Sequence, residues 1–460
     1  MSIINSSLAI LGGPPQRVKD FSSKPMVGKE EINVLIELVN NNQFSKFVGS
    51  PVPGTYDILN KKSKDLRLSN VSSNVLGGEY IRKFEYLWSD ITQSDYCISV
   101  NSATSGLTTA LLALGLDPGS EVITTPFSFT ATCSAIIAAN YVPIFCDIDP
   151  ETFCLSPEKL EKLITPQTKC VVAVHWCGNV GDLDEIKNIC NEKNIYLIED
   201  AAQAPASFYK TRAVGTFGDL GVFSFNEPKN IMCGEGGLIV TNNEKFAIKC
   251  RLIRNHGEAI IKDNADDMDI INVVGYNFRM TELHAAIAYE QSKKLEKINK
   301  IRKSNYSYLA KSLKDEFSNY LTPQRITHPD SYYAYTASFK WNKNKSGVHR
   351  NIIADALIAE GIPVFKGYHR LMCDHPMFKR KIAFGRNHYP WKNSNINYNN
   401  IDVKNARKLV DHEFLGFLQT GYPNTNEDMD DIINAFDKII HNLESLKNFN
   451  YSDKELNLGK

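Results

Sequence analysis

The chain has 460 residues, 43% hydrophobic and 23% charged, the composition of an ordinary soluble globular protein long enough for two α/β domains. Lysine plus arginine balances aspartate plus glutamate at 52 each, so no global field draws it to nucleic acid or to a membrane surface. The ten cysteines lie in apolar segments without a C-x-x-C pair, which predicts reduced, buried thiols in a cytoplasmic protein.

The opening "MSIINSSLAILGGPPQR" has an apolar run too short for a signal sequence and no basic flank, and no stretch approaches a membrane span of about 18 apolar residues. The segment 47–78 is turn-rich and carries Lys61, Lys62, Lys64 and Arg67; it reads as a solvated loop or as a contact for an anionic substrate tail. From about residue 95 to 240 short apolar runs alternate with helical patterns. "EVITT" (121–125), "VPIFCDI" (142–148), "CVVAVHW" (170–176) and "IYLIED" (195–200) are too apolar for half-exposed strands and predict a parallel sheet covered on both faces. Between the third and fourth, "DLDEIKNICNEKN" predicts a helix. "TSGLTTALLALGL" places Leu107, Ala110, Leu111 and Leu114 on one helical face, with Gly115 as its stop.

A long helix is predicted to open at Thr281 and run through "KINKI" into a second unit. There "YYAYTASFKW" alternates like a strand and "HRNIIADALIAEGI" reads as a helix. The expected division is a large α/β domain over 1–302, a smaller α+β domain over 303–447, and a loose tail over 448–460. His369, Cys373 and His375 lack a fourth ligand at a recognisable spacing, so no metal site is predicted.

Four short stretches carry chemistry. "FSFNEPKNIMCGEGG" sets Lys229 before Gly234, Gly236 and Gly237, the reverse of a phosphate loop; the lysine is either solvated in a turn or itself a reagent amine. "NSATSGL" delivers Ser102, Thr104 and Ser105 to a helix start, as plain caps or as an anion seat. "IYLIEDAAQA" ends a buried strand on Glu199 and Asp200 and is expected to enter a helix, placing Gln203 one turn after Asp200. Asp200 there is a cap or the partner of a cationic ring nitrogen. "PFSFTAT" supplies Phe127 and Phe129, as core or as a wall for a flat ring. An amine, an anion seat, a carboxylate and an aromatic wall in one α/β domain are together what pyridoxal phosphate requires.

With "LAILGGPPQR", "TPFSFTAT", "VVAVHWCGNVGDLDEI", "IEDAAQAPAS", "GTFGDLGVFSFNEPKN" and "GYNFRMTELHAAI" in this order, the chain resembles the DegT/DnrJ/EryC1/StrS family of pyridoxal-phosphate aminotransferases. The glycines of "GTFGDLG" do not link a strand directly to a helix, so they are not read as a dinucleotide site. The resemblance implies an aspartate-aminotransferase-like large domain with a smaller C-terminal one. It makes Lys229 the Schiff-base lysine and proton shuttle, and Asp200 the pyridinium partner. It places Gln203 near the ring hydroxyl, Phe129 against the ring, and Thr104, Ser105 and Ser224 around the phosphate. Asn277 would reach the phosphate of a neighbouring subunit, implying a homodimer with shared sites.

The implied reaction moves an amino group from glutamate or glutamine to a keto-sugar, preferably nucleotide-linked, for surface polysaccharide or secondary-metabolite synthesis. A keto-cyclitol or aminohydroxybenzoate-type precursor is the alternative acceptor, and Asn226 departs from a histidine common in sugar enzymes. The branch that removes a sugar hydroxyl replaces the lysine by histidine, which Lys229 argues against; a non-catalytic cofactor sensor is the reading from another class.

Overall fold

A computed structural model of the protein describes residues 7–22, 24–45, 47, 77–257, 274–447 and 449. The basic stretch 61–67 and nearly all of the tail therefore lie outside the described residues.

Seven strands form the central sheet: β1 (Tyr96–Val100), β2 (Glu121–Thr124), β3 (Val142–Phe145), β4 (Thr168–Val174), β5 (Tyr196–Asp200), β6 (Leu220–Ser224) and β7 (Gly237–Thr241). Their spatial order is β1-β7-β6-β5-β4-β2-β3. Strand β7 runs antiparallel to both of its neighbours and the remaining pairings are parallel. All four strands expected from the sequence are present in this mostly parallel sheet. Both faces are covered, as their apolar runs require. Cys97, Leu238 and Val240 face one core, while Ile98, Ile239 and Val222 face the other. Burying one such valine, leucine or isoleucine contributes about 1.5–3 kcal/mol.

Helices α1 (Lys29–Asn40) and α2 (Glu79–Thr92) pack on the first face and α3 (Ala103–Leu114) on the second. Helix α4 (Thr130–Ala138) follows β2, and α5 (Leu183–Lys193) joins β4 to β5. The long helix expected from Thr281 is two helices, α6 (Glu282–Lys293) and α7 (Leu295–Phe317). Thr281 caps the first by accepting from the His284 amide at 3.3 Å. The break falls at Lys294, a position without glycine or proline. Its ammonium reaches back to Glu31 (2.7 Å) and Glu30 (3.1 Å) on α1, and its amide bonds three residues back, to the Gln291 carbonyl. A tertiary ion pair accompanies this break, which local sequence does not mark.

The C-terminal unit is a three-stranded antiparallel sheet of β8 (Leu321–Pro323), β9 (Ala337–Trp341) and β10 (Phe414–Phe417). It shares a core with α7, α8 (Arg350–Ala359) and α9 (Asn426–His441). Leu8 joins the same core, and the buried Glu360 carboxylate accepts from the amides of Ala9 and Gln16 and from Lys438 Nζ, at 2.8, 2.9 and 2.8 Å. The N-terminal segment is thus fastened to this unit. Residues before β10 cover the edge strand β3: Tyr398 donates its hydroxyl to the Pro143 carbonyl (2.7 Å), and Asp147 accepts from the Asn405 and Ala406 amides (both 2.9 Å). All ten cysteines are buried free thiols. Among the described residues no helix is long and apolar enough to cross a membrane.

One buried ion pair ties α2 to β1 and the helix after β7. Glu85 Oε1 accepts from Arg254 Nη1 at 3.0 Å and from both the amide and the hydroxyl of Ser99 at 2.8 Å. Removing one partner strands the other charge in the interior, which typically costs about 3–5 kcal/mol. Glu85→Ala is therefore expected to lose that much stability in chemical denaturation; a change below about 1 kcal/mol would contradict the role of the pair.

Candidate active site

Parallel pairing sets Val174, Asp200 and Val222 side by side, so the carboxyl ends of β4, β5 and β6 open on one place. Strand alternation sends Glu199 and Asp200 opposite ways. Glu199 is fully buried, and its carboxylate accepts from the amides of Gly215 (2.7 Å), Phe217 (2.5 Å) and Gly218 (2.8 Å) and lies 3.0 Å from His175 Nε2. Burial acts to raise its pKa, but these hydrogen bonds outweigh it and hold the group below the usual range. The "GTFGDLG" glycines thus fold around a structural carboxylate rather than a dinucleotide.

Asp200 faces the cavity. Its Oδ2 accepts from Thr132 Oγ1 at 2.7 Å and its Oδ1 from the Ala202 amide at 3.2 Å. Burial raises its pKa despite both hydrogen bonds and despite the nearby Lys229 and His175. Such a carboxylate gains from a further cation brought against it. The helix expected after Asp200 does not form. Residues 201–207 make two successive turns, with Ala204 bonding back to Ala201 and Ser207 to Ala204. Pro205 offers no amide to continue a helix, and Ala206 takes φ of 54°. The turns still bring Gln203 into the cavity, where its Oε1 accepts from the Cys177 amide at 2.7 Å.

Lys229 sits in the loop between β6 and β7. Backbone bonds from Phe225 to Gly236 and from Glu227 to Gly234 close that loop, and Gly234 supplies φ of 85° at its bend. The Lys229 amine lies 4.5 Å from the centre of the Tyr335 ring and, among the described residues, makes no hydrogen bond or ion pair. Although the cavity opens onto it, the surrounding protein lowers its pKa to about 8 by desolvation, with Asp200 and Cys177 pulling the other way. It is a desolvated amine at the cavity wall rather than a solvated turn lysine.

The start of α3 forms the opposite wall. Ser102 caps the helix by accepting from the Ser105 amide at 3.1 Å, and the Ser105 hydroxyl is spent on Asn101 Oδ1 (2.6 Å) and the Ser102 carbonyl (2.8 Å). Ser105 is therefore a buried capping residue, whereas Thr104 and Ser224 line the cavity. Among the described residues the Ala103 and Thr104 amides have no acceptor, leaving the helix end free for an anion. Gly237 permits the close approach behind it: a Cβ there would lie 2.6 Å from the Ser102 carbonyl oxygen. Phe129 is 58% exposed and presents its ring to the cavity, while Phe127 is core, 3.9 Å from Trp176 between ring centres.

The cavity of ≈ 440 Å³ thus gathers Thr104, Phe129, Asp200, Gln203, Ser224 and Lys229. Asn277 lies apart, in a surface pocket with Arg279 and His284 that shares only Ser102 and Glu235 with the cavity. Sequence reasoning missed Thr132, Trp176, Tyr335 and Tyr368, which the fold gathers from distant segments. Thr132 and Trp176 carried a signal, lying inside the "TPFSFTAT" and "VVAVHWCGNVGDLDEI" elements, whereas Tyr335 and Tyr368 did not. The buried carboxylate short of a cation, the free helix amides, the exposed ring and the unpaired amine all fit pyridoxal phosphate. Its capture by the apoenzyme needs the neutral amine. The rate is expected to rise with pH up to about 8 and to level off above it; a profile still climbing towards pH 10.5 would contradict the burial of Lys229.

Comparison with known proteins agrees. The sequence profile of the DegT/DnrJ/EryC1/StrS aminotransferase family matches residues 57–398. The L-glutamine:2-deoxy-scyllo-inosose aminotransferase of Streptomyces kanamyceticus is 31% identical over 404 residues, 85% of this chain and 92% of its own. The GDP-perosamine synthase of Escherichia coli O157:H7 is 36% identical over 315 residues, covering 66% and 80%. The crystal structure of NtdA from Bacillus subtilis with bound cofactor PMP superposes with a TM-score of 0.69 at 26% identity, over 90% of this chain and 81% of that one. The chain belongs to the DegT/DnrJ/EryC1/StrS aminotransferase family and is a pyridoxal-phosphate-dependent aminotransferase of fold type I.

Proposed function

We propose that the protein transfers the amino group of glutamate or glutamine to a keto-sugar, with Lys229 and Asp200 as its catalytic residues. The observation that carries this reading is the desolvated, unpaired Lys229 amine in one cavity with a buried carboxylate. When bound, pyridoxal phosphate supplies an aldehyde and an electron-accepting ring. Asp200, itself oriented by Thr132, would hold a cationic ring nitrogen. The α3 amides with Thr104 and Ser224 would seat the phosphate. Phe129 would stand against the ring, and Gln203, fixed by the Cys177 amide, would lie near the ring hydroxyl. With a pKa of about 8, Lys229 can both accept and return a proton near neutrality, the condition for an efficient shuttle.

A nucleotide-linked keto-sugar remains the preferred acceptor, in line with the similarity to GDP-perosamine synthase; the keto-cyclitol alternative has support in the inosose aminotransferase, which the chain matches over more of its length. Mass spectrometry of nucleotide-linked keto-sugars, sugar phosphates and keto-cyclitols incubated with each donor separates them by the product that gains an amine. If the donor is consumed with none of these aminated, the acceptor class proposed here is wrong. Lys229→Ala should lower turnover by at least about 10²–10⁴-fold, the usual worth of a positioned proton carrier, and should abolish covalent cofactor attachment.

The position of Asn277 supports a homodimer in which each copy completes the other's site, because within one chain it stays outside the cavity. Mixing Lys229→Ala with Asn277→Ala after subunit exchange is then expected to restore activity. A mixture no more active than its parts would argue for self-contained sites.

A further inference from the structure

Gln203 enters the cavity from the turns after Asp200, and the chemistry of its neighbours fixes which way its amide points. The Cys177 backbone N–H can only donate, so the Gln203 oxygen Oε1 must face it, at 2.7 Å. Nε2 is thereby turned the other way, toward Tyr368, whose hydroxyl oxygen accepts from it at 3.5 Å. That bond is long, so it contributes direction more than energy. Tyr368 stands 165 residues further along the chain, between α8 and β10. Its ring is wedged edge-to-face against Trp176 (5.5 Å between ring centres), Phe365 (5.8 Å) and Phe127 (6.3 Å). Phe129, which borders the same cavity, lies 6.1 Å away. Burial raises the pKa of the phenol, so the hydroxyl stays neutral and offers its oxygen as an acceptor. Of the two hydrogens on Nε2, Tyr368 takes one. Among the described residues the other has no acceptor and is left for the cavity.

We propose that Tyr368 is a positioning residue: it holds the Gln203 amide so that the free N–H of Nε2 points at the ring hydroxyl of the cofactor. This rests on the placement of Gln203 near that hydroxyl proposed above. An amide fixed only through its oxygen can swing about the Cys177 contact. A second contact, from a ring locked between the two units, removes that freedom. The seat of the C-terminal unit on the large one thereby governs a donor to the cofactor. The charge on the ring oxygen is greatest once the Lys229 nitrogen attached beside it has lost its proton, so a donor to that oxygen lowers the pKa of that nitrogen.

The test uses holoenzyme and reads the pH midpoint of the change in the bound cofactor's visible absorbance, which a merely packing role would not move. Tyr368→Phe keeps the ring and removes the hydroxyl. Gln203→Met keeps the side-chain length and removes the donor. Both are expected to raise the midpoint, Tyr368→Phe by about 0.4–1 pH unit, the worth of one neutral hydrogen bond. Tyr368→Phe added to Gln203→Met should raise it no further. A wild-type midpoint in Tyr368→Phe, with Gln203→Met shifted, would overturn the proposal. Additive shifts would also overturn it and put the tyrosine hydroxyl directly on the cofactor. If Gln203→Met leaves the midpoint unmoved, the placement of Gln203 fails, and the proposal with it. Should that variant not take up cofactor, a crystal structure of Tyr368→Phe holoenzyme decides. The Gln203 amide is expected to have turned there, and an unmoved amide would sink the idea.

Discussion

The site turns on a carboxylate that the fold buries without giving it a full partner. Asp200 ends β5 with a threonine hydroxyl and one amide for company, and desolvation outweighs them. Its neighbour Glu199 shows the alternative within one residue. Three amides and a histidine satisfy Glu199, and it does nothing but hold a turn. The difference between the two comes from strand alternation, which sends one side chain toward the 215–218 turn and the other into the cavity. A buried carboxylate without a cation is a cost to folding, and this one is retained at the wall of the cavity proposed to take the cofactor.

Lys229 obeys the same logic with the opposite sign. Its amine is crowded by protein, lies against the Tyr335 ring, and is left without a hydrogen-bond partner, so its proton is held more loosely than in water. The acid that could have neutralised it is engaged by Thr132 and Ala202. Lys229 and Asp200 thus border one cavity with no ion pair between them among the described residues.

The C-terminal unit is more than a support for this arrangement. Tyr335 precedes β9, Leu418 follows β10 and Arg302 lies on α7, and all three border the space around Lys229. The N-terminal segment, bound through Leu8 and Glu360 to the same unit, adds Lys24 and Met26 to a second cavity, which Lys229 also lines. Segments hundreds of residues apart thus share the walls of two adjoining chambers with the lysine between them.

The order of apolar runs by itself determined the parallel sheet, since strands buried on both faces must be apolar at every position. The succession of Lys229, Asp200, Phe129 and the α3 hydroxyls likewise pointed to the cofactor, because each residue type matches one chemical demand. Which hydroxyl faces the cavity was not legible: Thr104 and Ser105 are adjacent, and only the cap geometry turns Ser105 inward. The turns after Asp200 and the break at Lys294 were equally hidden, because the backbone at Ala206 and the contacts of Lys294 with Glu30 and Glu31 are set in three dimensions. Local sequence specifies which groups a segment offers; burial and partners, which set their pKa values and availability, arise from contacts between segments far apart in the chain.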